Sequence, residues 1–226
     1  MNQLTKKTGA ALVAGVFLLS AAGCSSKEEY SDAADEIGSL ALEDMDYGAS
    51  ITQLKPAYND DVKIAIEYDN RFLTMEEAIK ISDYVASLND SDAELMEETF
   101  YKPFLDKIVE NSGYSDTASY IANMHDNIRD SYLGYEFEFD YILTEDCLTE
   151  DDDDSETNFS SIDSTLDSLT GENLSDKVTS RKLVTFDIEY HYADTSEASG
   201  SHMLSTSTGT YSSLYIYTID GEIYII

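Results

Sequence analysis

At Gly134 the spacing of apolar residues changes from helical to extended, and that single switch restricts the chain to folds in which a run of helices packs on strands. Ahead of it, Thr74 and Glu77 have capping-box spacing, and Ala78, Ile81, Val85 and Leu88 follow at helical intervals. Ser91 and Glu94 repeat the capping pattern before Leu95, Phe100, Phe104, Leu105, Ile108 and Val109, with Pro103 expected to split that stretch. Ser115 or Asp116 can cap a third helix whose stripe is Ile121, Met124, Ile128 and Tyr132. Behind the switch, Tyr135, Phe137, Phe139 and Tyr141 alternate with Glu136, Glu138 and Asp140, the pattern of a half-buried antiparallel strand.

The flanks fill in the rest of an α+β chain. Ile51 to Leu54 and the alternating Val62, Ile64, Ile66 and Tyr68, parted by Pro56 and Asn59-Asp60-Asp61, predict an N-terminal β-hairpin. Ser160 with Asp163 predicts the start of a short helix carrying Ile162, Leu166 and Leu169 and ending at Gly171. Val184, Phe186, Ile188, Tyr190 and Tyr192 share one face of a strand, and the alternation assigns Asp187, like Asp140 before it, to solvent. A polar loop from Ala193 to Ser201 leads to a Ser/Thr-rich strand, and Asp220-Gly221 marks a two-residue hairpin turn before the last strand.

This order of elements, with the closing Asp220-Gly221-Glu222-Ile223-Tyr224-Ile225-Ile226 and the helix start Ser91-Asp92-Ala93-Glu94-Leu95, resembles the nuclear-transport-factor-like and cystatin-like α+β rolls. The resemblance implies N-terminal helices packed on a curved antiparallel sheet, here with the N-terminal β-hairpin added. Enzymes of that shape, similar to ketosteroid isomerases and polyketide cyclases, place an acid/base pair and often a tyrosine inside the cone. The residues that could line such a pocket here are Tyr135, Phe137, Phe139 and Tyr141. Structural aromatics are the stronger reading, since no acid maps by motif among the inward positions.

The N-terminus sets the address. Lys6 and Lys7 precede an apolar run from Thr8 to Ala22, short of the ~20 residues a spanning helix needs. With Leu18-Leu19-Ser20-Ala21-Ala22-Gly23-Cys24 at its end, it resembles a bacterial lipoprotein signal, which implies a diacylglyceryl group on Cys24. The expected organisation is a signal peptide over 1–23, a lipidated flexible tether over 24–46 and one α+β domain over 47–226. That places the protein at the cell membrane, lipid-anchored on the extracytoplasmic face.

Composition narrows the chemistry. A formal net charge of −33 repels polyanions, so nucleic acid is not an expected partner. Cys24 and Cys147 are the two cysteines, and lipidation of the first leaves no disulfide to form. His125, His191 and His202 have no ligand spacing. In the run beginning Asp151-Asp152-Asp153-Asp154, Glu156 and Ile162 stand where a calcium loop needs Gly and Glu, which favours a solvated loop over a cation site. No metal and no cofactor is expected. The reading is a non-catalytic binding or accessory module, joined to the membrane by its anchor and acting on an envelope protein or ligand; the alternative is a small-molecule isomerase- or cyclase-like enzyme using the space between helices and sheet.

Overall fold

The first helix, α1 (Met75–Asp90), starts on the expected capping box: Thr74 Oγ1 accepts from Glu77 N at 3.2 Å, and the Glu77 carboxylate accepts from Thr74 N at 2.8 Å. In the computed structural model, which describes residues 50–150, 155–171, 173–193 and 200–226, α1 ends at Ser91 in the left-handed region, at φ 52°. Ser91 therefore cannot cap the following helix as its spacing suggests. Asp92 does so, accepting from Leu95 N at 3.1 Å at the start of α2 (Ala93–Thr99). The leader, Cys24, the tether and the Asp151–Asp154 run lie outside the described residues.

Pro103 divides the next stretch as expected, sitting in the first turn of α3 (Lys102–Asn111), where its missing N–H costs nothing. Asp116 caps α4 (Thr117–Ile128), accepting from Ser119 N at 2.8 Å. The chain then makes one π-helical turn, Arg129–Leu133, closed by Gly134 at φ 77°. The wider turn rotates the stripe by about one residue, so Leu133 is buried and Tyr132, expected in the stripe, is exposed.

The sheet runs β1 (Ile51–Leu54), β2 (Ala65–Asp69), β3 (Phe137–Thr149), β4 (Val178–Tyr192), β6 (Ser212–Ile219), β7 (Glu222–Ile225), with the two-residue β5 (His202–Met203) pairing β4 beyond the end of β6. It is mixed and open. The expectation of an antiparallel sheet is corrected at one junction: β2 and β3 are parallel, with Ala65 opposite Tyr141. The cause is the connection: α1 to α4 lie between these two strands, and the helical crossover carries the chain from the end where β2 finishes back to the end where β2 began, so β3 runs the same way. β1 and β2 are antiparallel, Ile51 facing Asp69, and β6 turns into β7 through Asp220 and Gly221, both at positive φ.

Two further sequence expectations give way. The helix expected from Ser160 begins at Ser155, forming a 16-residue α5 (Ser155–Thr170). The Ser/Thr-rich stretch expected as a strand opens as the short helix α6 (Leu204–Thr208), ended by Gly209 at φ 80°. Helices also cover both faces of the sheet. On one face, Leu88, Phe139, Ile142, Val184, Phe186 and Ile188 belong to the main core, under α1, α2 and α4. On the other, α5 places Phe159 and Leu166 against Tyr217 and Ile219, in a smaller core that Phe104 of α3 joins. The alternation of β6 separates the two, since Leu214 and Ile216 point one way and Tyr217 and Ile219 the other. Arg181 holds α5 down, donating to Asp163 at 3.0 Å, Glu150 at 3.1 Å and the Ser175 carbonyl at 3.2 Å, with its guanidinium 5.9 Å from the Tyr217 ring centre. Among the described residues no helix is long and apolar enough to cross a membrane.

Candidate functional site

The four residues expected to line a pocket separate. Phe137 and Phe139 are buried in the main core, 4.8 Å apart between ring centres, and Phe137 stacks on His125 of α4 at 4.8 Å. Tyr135 lies ahead of β3 and is 56% exposed, its ring edge-on to Tyr192 at 5.4 Å. Tyr141 leaves the alternation because the register with β4 shifts between Phe139 and Tyr141. One extra residue at that bulge turns the side chains that follow, as far as a second register shift between Thr144 and Asp146, to the opposite face. Ile142 consequently takes the core position, fully buried, and Tyr141 turns outward, its hydroxyl donating to Glu67 at 3.3 Å. The space between helices and sheet is filled: a cavity of about 10 Å³ beside Tyr84, Leu88, Phe139, Phe186 and Ile188 is at the lower limit for one water.

The reverse face of β2, β3 and β4, beyond the reach of α5, carries the charged groups. Glu67 and Asp69 alternate on it with the buried Ile66 and Tyr68. Asp69 is paired with Arg71, which holds its carboxyl below the ordinary range through a direct hydrogen bond against the opposing effect of burial. Gln53 of β1 donates to Glu67 at 2.6 Å, so Glu67 gathers Gln53 and Tyr141 on one carboxylate. Farther across, His191 Nδ1 stands 2.8 Å from Asp140 and Nε2 3.6 Å from Glu138, and the Asp140 hydrogen bond raises the His191 imidazole above 6.5.

Asp187, assigned to solvent by its place in the alternation, is 4% exposed. The unforeseen α6 covers it. Asp187 accepts from Ser205 N at 3.0 Å, from Ile188 N at 2.9 Å and from the Ser205 hydroxyl, acting as the cap that Met203, at the start of α6, cannot provide. Glu145, in the second register shift of β3, has its carboxyl raised by desolvation and then by Asp187. The Tyr211 phenol is raised by desolvation, by Glu145 and by Asp187. Asp187 thus stabilises the fold, with its oxygens occupied by backbone and serine donors.

Beside this face Tyr190, Tyr192 and His202 form an aromatic group with ring centres 5.2 to 5.5 Å apart, and the Tyr190 hydroxyl bonds Ser207 at 2.8 Å. Cys147 is half-buried, its N–H donating to Asp146 at 2.8 Å. Among the described residues no group of three or more His, Cys, Asp and Glu side chains is placed to hold a metal. What the geometry assembles is an acidic sheet face on which Glu67 gathers Gln53 and Tyr141, and Asp140 and Glu138 flank His191. The sequence signal for it was present in β2: Glu67 and Asp69 alternate with Ile66 and Tyr68, so their common face could be read before the face of Tyr141 could. No protein-family model matches the chain, and no curated protein and no solved structure is significantly similar to it, so a functional reading rests on its own residues.

Proposed function

We propose that the chain is a membrane-anchored lipoprotein on the extracytoplasmic face of the cell membrane, whose domain, a cystatin-like roll with an added N-terminal hairpin, serves as a non-catalytic binding or accessory module at the cell envelope. The observation that carries the reading is the filled interior: Phe137, Phe139, Phe186 and Ile188 occupy the place where an isomerase- or cyclase-like enzyme would hold its substrate. The work of the domain then falls to its outside, where the acidic, tyrosine-bearing sheet face is available. The apolar run ending at Cys24 supports the anchor, since two or three acyl chains hold stably where one does not.

Two measurements test this. Crystals pressurised with xenon, which fills dry apolar cavities, are expected to show no xenon between α1 and the sheet; an occupied site against Phe139 and Ile188 would restore the enzyme reading. In cells fed a clickable palmitate, the full chain is expected to carry the label and sediment with membranes, and Cys24→Ser to lose both. A Cys24→Ser protein still in the membrane fraction would refute the anchor.

A further inference from the structure

The two edges of the sheet are finished differently. Along β7 the chain covers its own edge: Phe100 bridges to Ile225 in parallel and Tyr101 N–H donates to the Ile225 carbonyl at 3.0 Å. β1 has no such cover among the described residues. Its hydrogen-bonding phase follows from one bond, Asn70 N–H to the Ser50 carbonyl at 2.8 Å, which makes Ser50 and Asn70 a hydrogen-bonded pair. In an antiparallel ladder such pairs alternate, so Thr52 and Leu54 direct their backbone groups at β2. Ile51 and Gln53 direct theirs away from the sheet. These are the two most exposed residues of the strand, and the Ile51 side chain is 42% exposed.

Charge and pattern say what could pair there. The side chains of Ile51 and Gln53 share the outer face with Glu67 and Asp69, and the face continues through Glu138, Asp140 and Glu189, with His191 beside these acids and Arg181, farther along β4, taken up by Asp163 and Glu150. Arg71 is committed to Asp69. Lys55, just past β1, opposes a cation at that end and favours one alongside Ile51 and Gln53. On the other side of β1, Leu54 packs against the main core and offers an apolar neighbour.

We propose that the open edge of β1 is a docking site for an extended cationic peptide segment of a partner protein. The segment adds a strand through the outward N–H and C=O groups of Ile51 and Gln53, with Lys or Arg at alternate positions leaning over Glu67 and apolar residues between them beside Leu54. This names a partner class for the binding module proposed above and rests on that reading. The anchor and the filled interior are tested separately, by palmitate labelling and xenon, so either reading can fail alone.

The test uses the full chain and a fluorescent, end-capped eight-residue peptide of alternating lysine and valine, read by anisotropy. Gln53→Pro removes the outward N–H from a position where an edge strand tolerates proline, and is expected to weaken binding about tenfold or more. Glu67→Gln is expected to weaken it a few-fold and to flatten its salt dependence. The same peptide with alternate amides N-methylated, which leaves the protein untouched, is expected not to bind. Equal binding to wild type and to a folded Gln53→Pro variant, or equal binding of the methylated peptide, would overturn the proposal, as would no binding at all. A dimer seen by sedimentation and lost in Gln53→Pro would overturn it in favour of a second copy. Slow hydrogen exchange at Ile51 and Gln53 in the free chain would overturn it in favour of the chain's own N-terminal segment.

Discussion

Replacing Lys182 by methionine isolates what one ion pair under α1 does for the fold. Lys182 Nζ lies 2.7 Å from the Glu77 carboxylate and 2.7 Å from the Phe72 carbonyl, with the two side chains 14% and 4% exposed. At an effective dielectric of ~20, charges at that separation attract by about 6 kcal/mol, and several kcal/mol of desolvation per ion offset most of it. The intact pair therefore adds little net stability. Removing one member is different, because the Glu77 carboxylate remains buried with the Thr74 N–H as its surviving partner. Lys182→Met is expected to cost about 3 kcal/mol, out of a total of roughly 5–15 for a domain of this kind. Adding Glu77→Gln, which keeps an oxygen for the Thr74 N–H while removing the charge, is expected to restore more than half of the loss. Urea unfolding of the wild type, both single variants and the double variant gives the cycle. A Lys182→Met loss under ~1 kcal/mol, or a double variant as unstable as the sum of the singles, would refute the argument that an orphaned buried carboxylate is the source.

Three smaller perturbations follow from the same structure. The His191 imidazole is raised above 6.5, chiefly by Asp140, so its stabilising contribution is present below that value and fades as pH rises through the folded pKa; NMR titration should show the raised value and its return toward 6.5 in Asp140→Asn, with only a few tenths of a kcal/mol at stake because the pair is solvated. Gly221→Ala is expected to cost about 1 kcal/mol in thermal unfolding, all of it from the backbone, since φ is 89° and a Cβ would meet no atom within 4 Å. Thr74→Ala removes half of the α1 capping box and is expected to cost about 1 kcal/mol, measured by the same unfolding.

The α1 cap and stripe and the break at Pro103 were legible because their causes are local: Thr74 and Glu77 sit three apart wherever they fold, and Pro103 has no N–H in any context. The core position of Phe137 and Phe139 was legible for the same reason. What escaped was set by events between distant segments or by single-residue slips of phase. A bulge after Phe139 reversed Tyr141, and a π turn exchanged Tyr132 for Leu133; one residue of slip in either case leaves composition and spacing unchanged. Asp187 looked solvent-facing until the Ser/Thr-rich stretch near Leu204 folded as a helix over it, and Ser and Thr have no strong preference that would have decided between strand and helix. The parallel pairing of β2 with β3 depends on which end of the sheet the chain re-enters after four helices, which no periodicity encodes.

That parallel junction also sets the order in which the molecule can assemble. Ala65 and Tyr141 are partners 76 residues apart in the chain, and closing a loop of that length costs about 4 kcal/mol of entropy before any contact repays it. The antiparallel strands from β3 onward carry shorter connections, and α1 to α4 are built from local bonds, so both can form while β1 and β2 are still free. The N-terminal pair is therefore expected to dock last and to open first. Truncating Ile66, fully buried at that junction, is accordingly expected to speed unfolding and leave the refolding rate unchanged. The edge proposed for a partner thus lies on the part of the domain expected to open first, and a strand bound there would hold that part closed and slow unfolding.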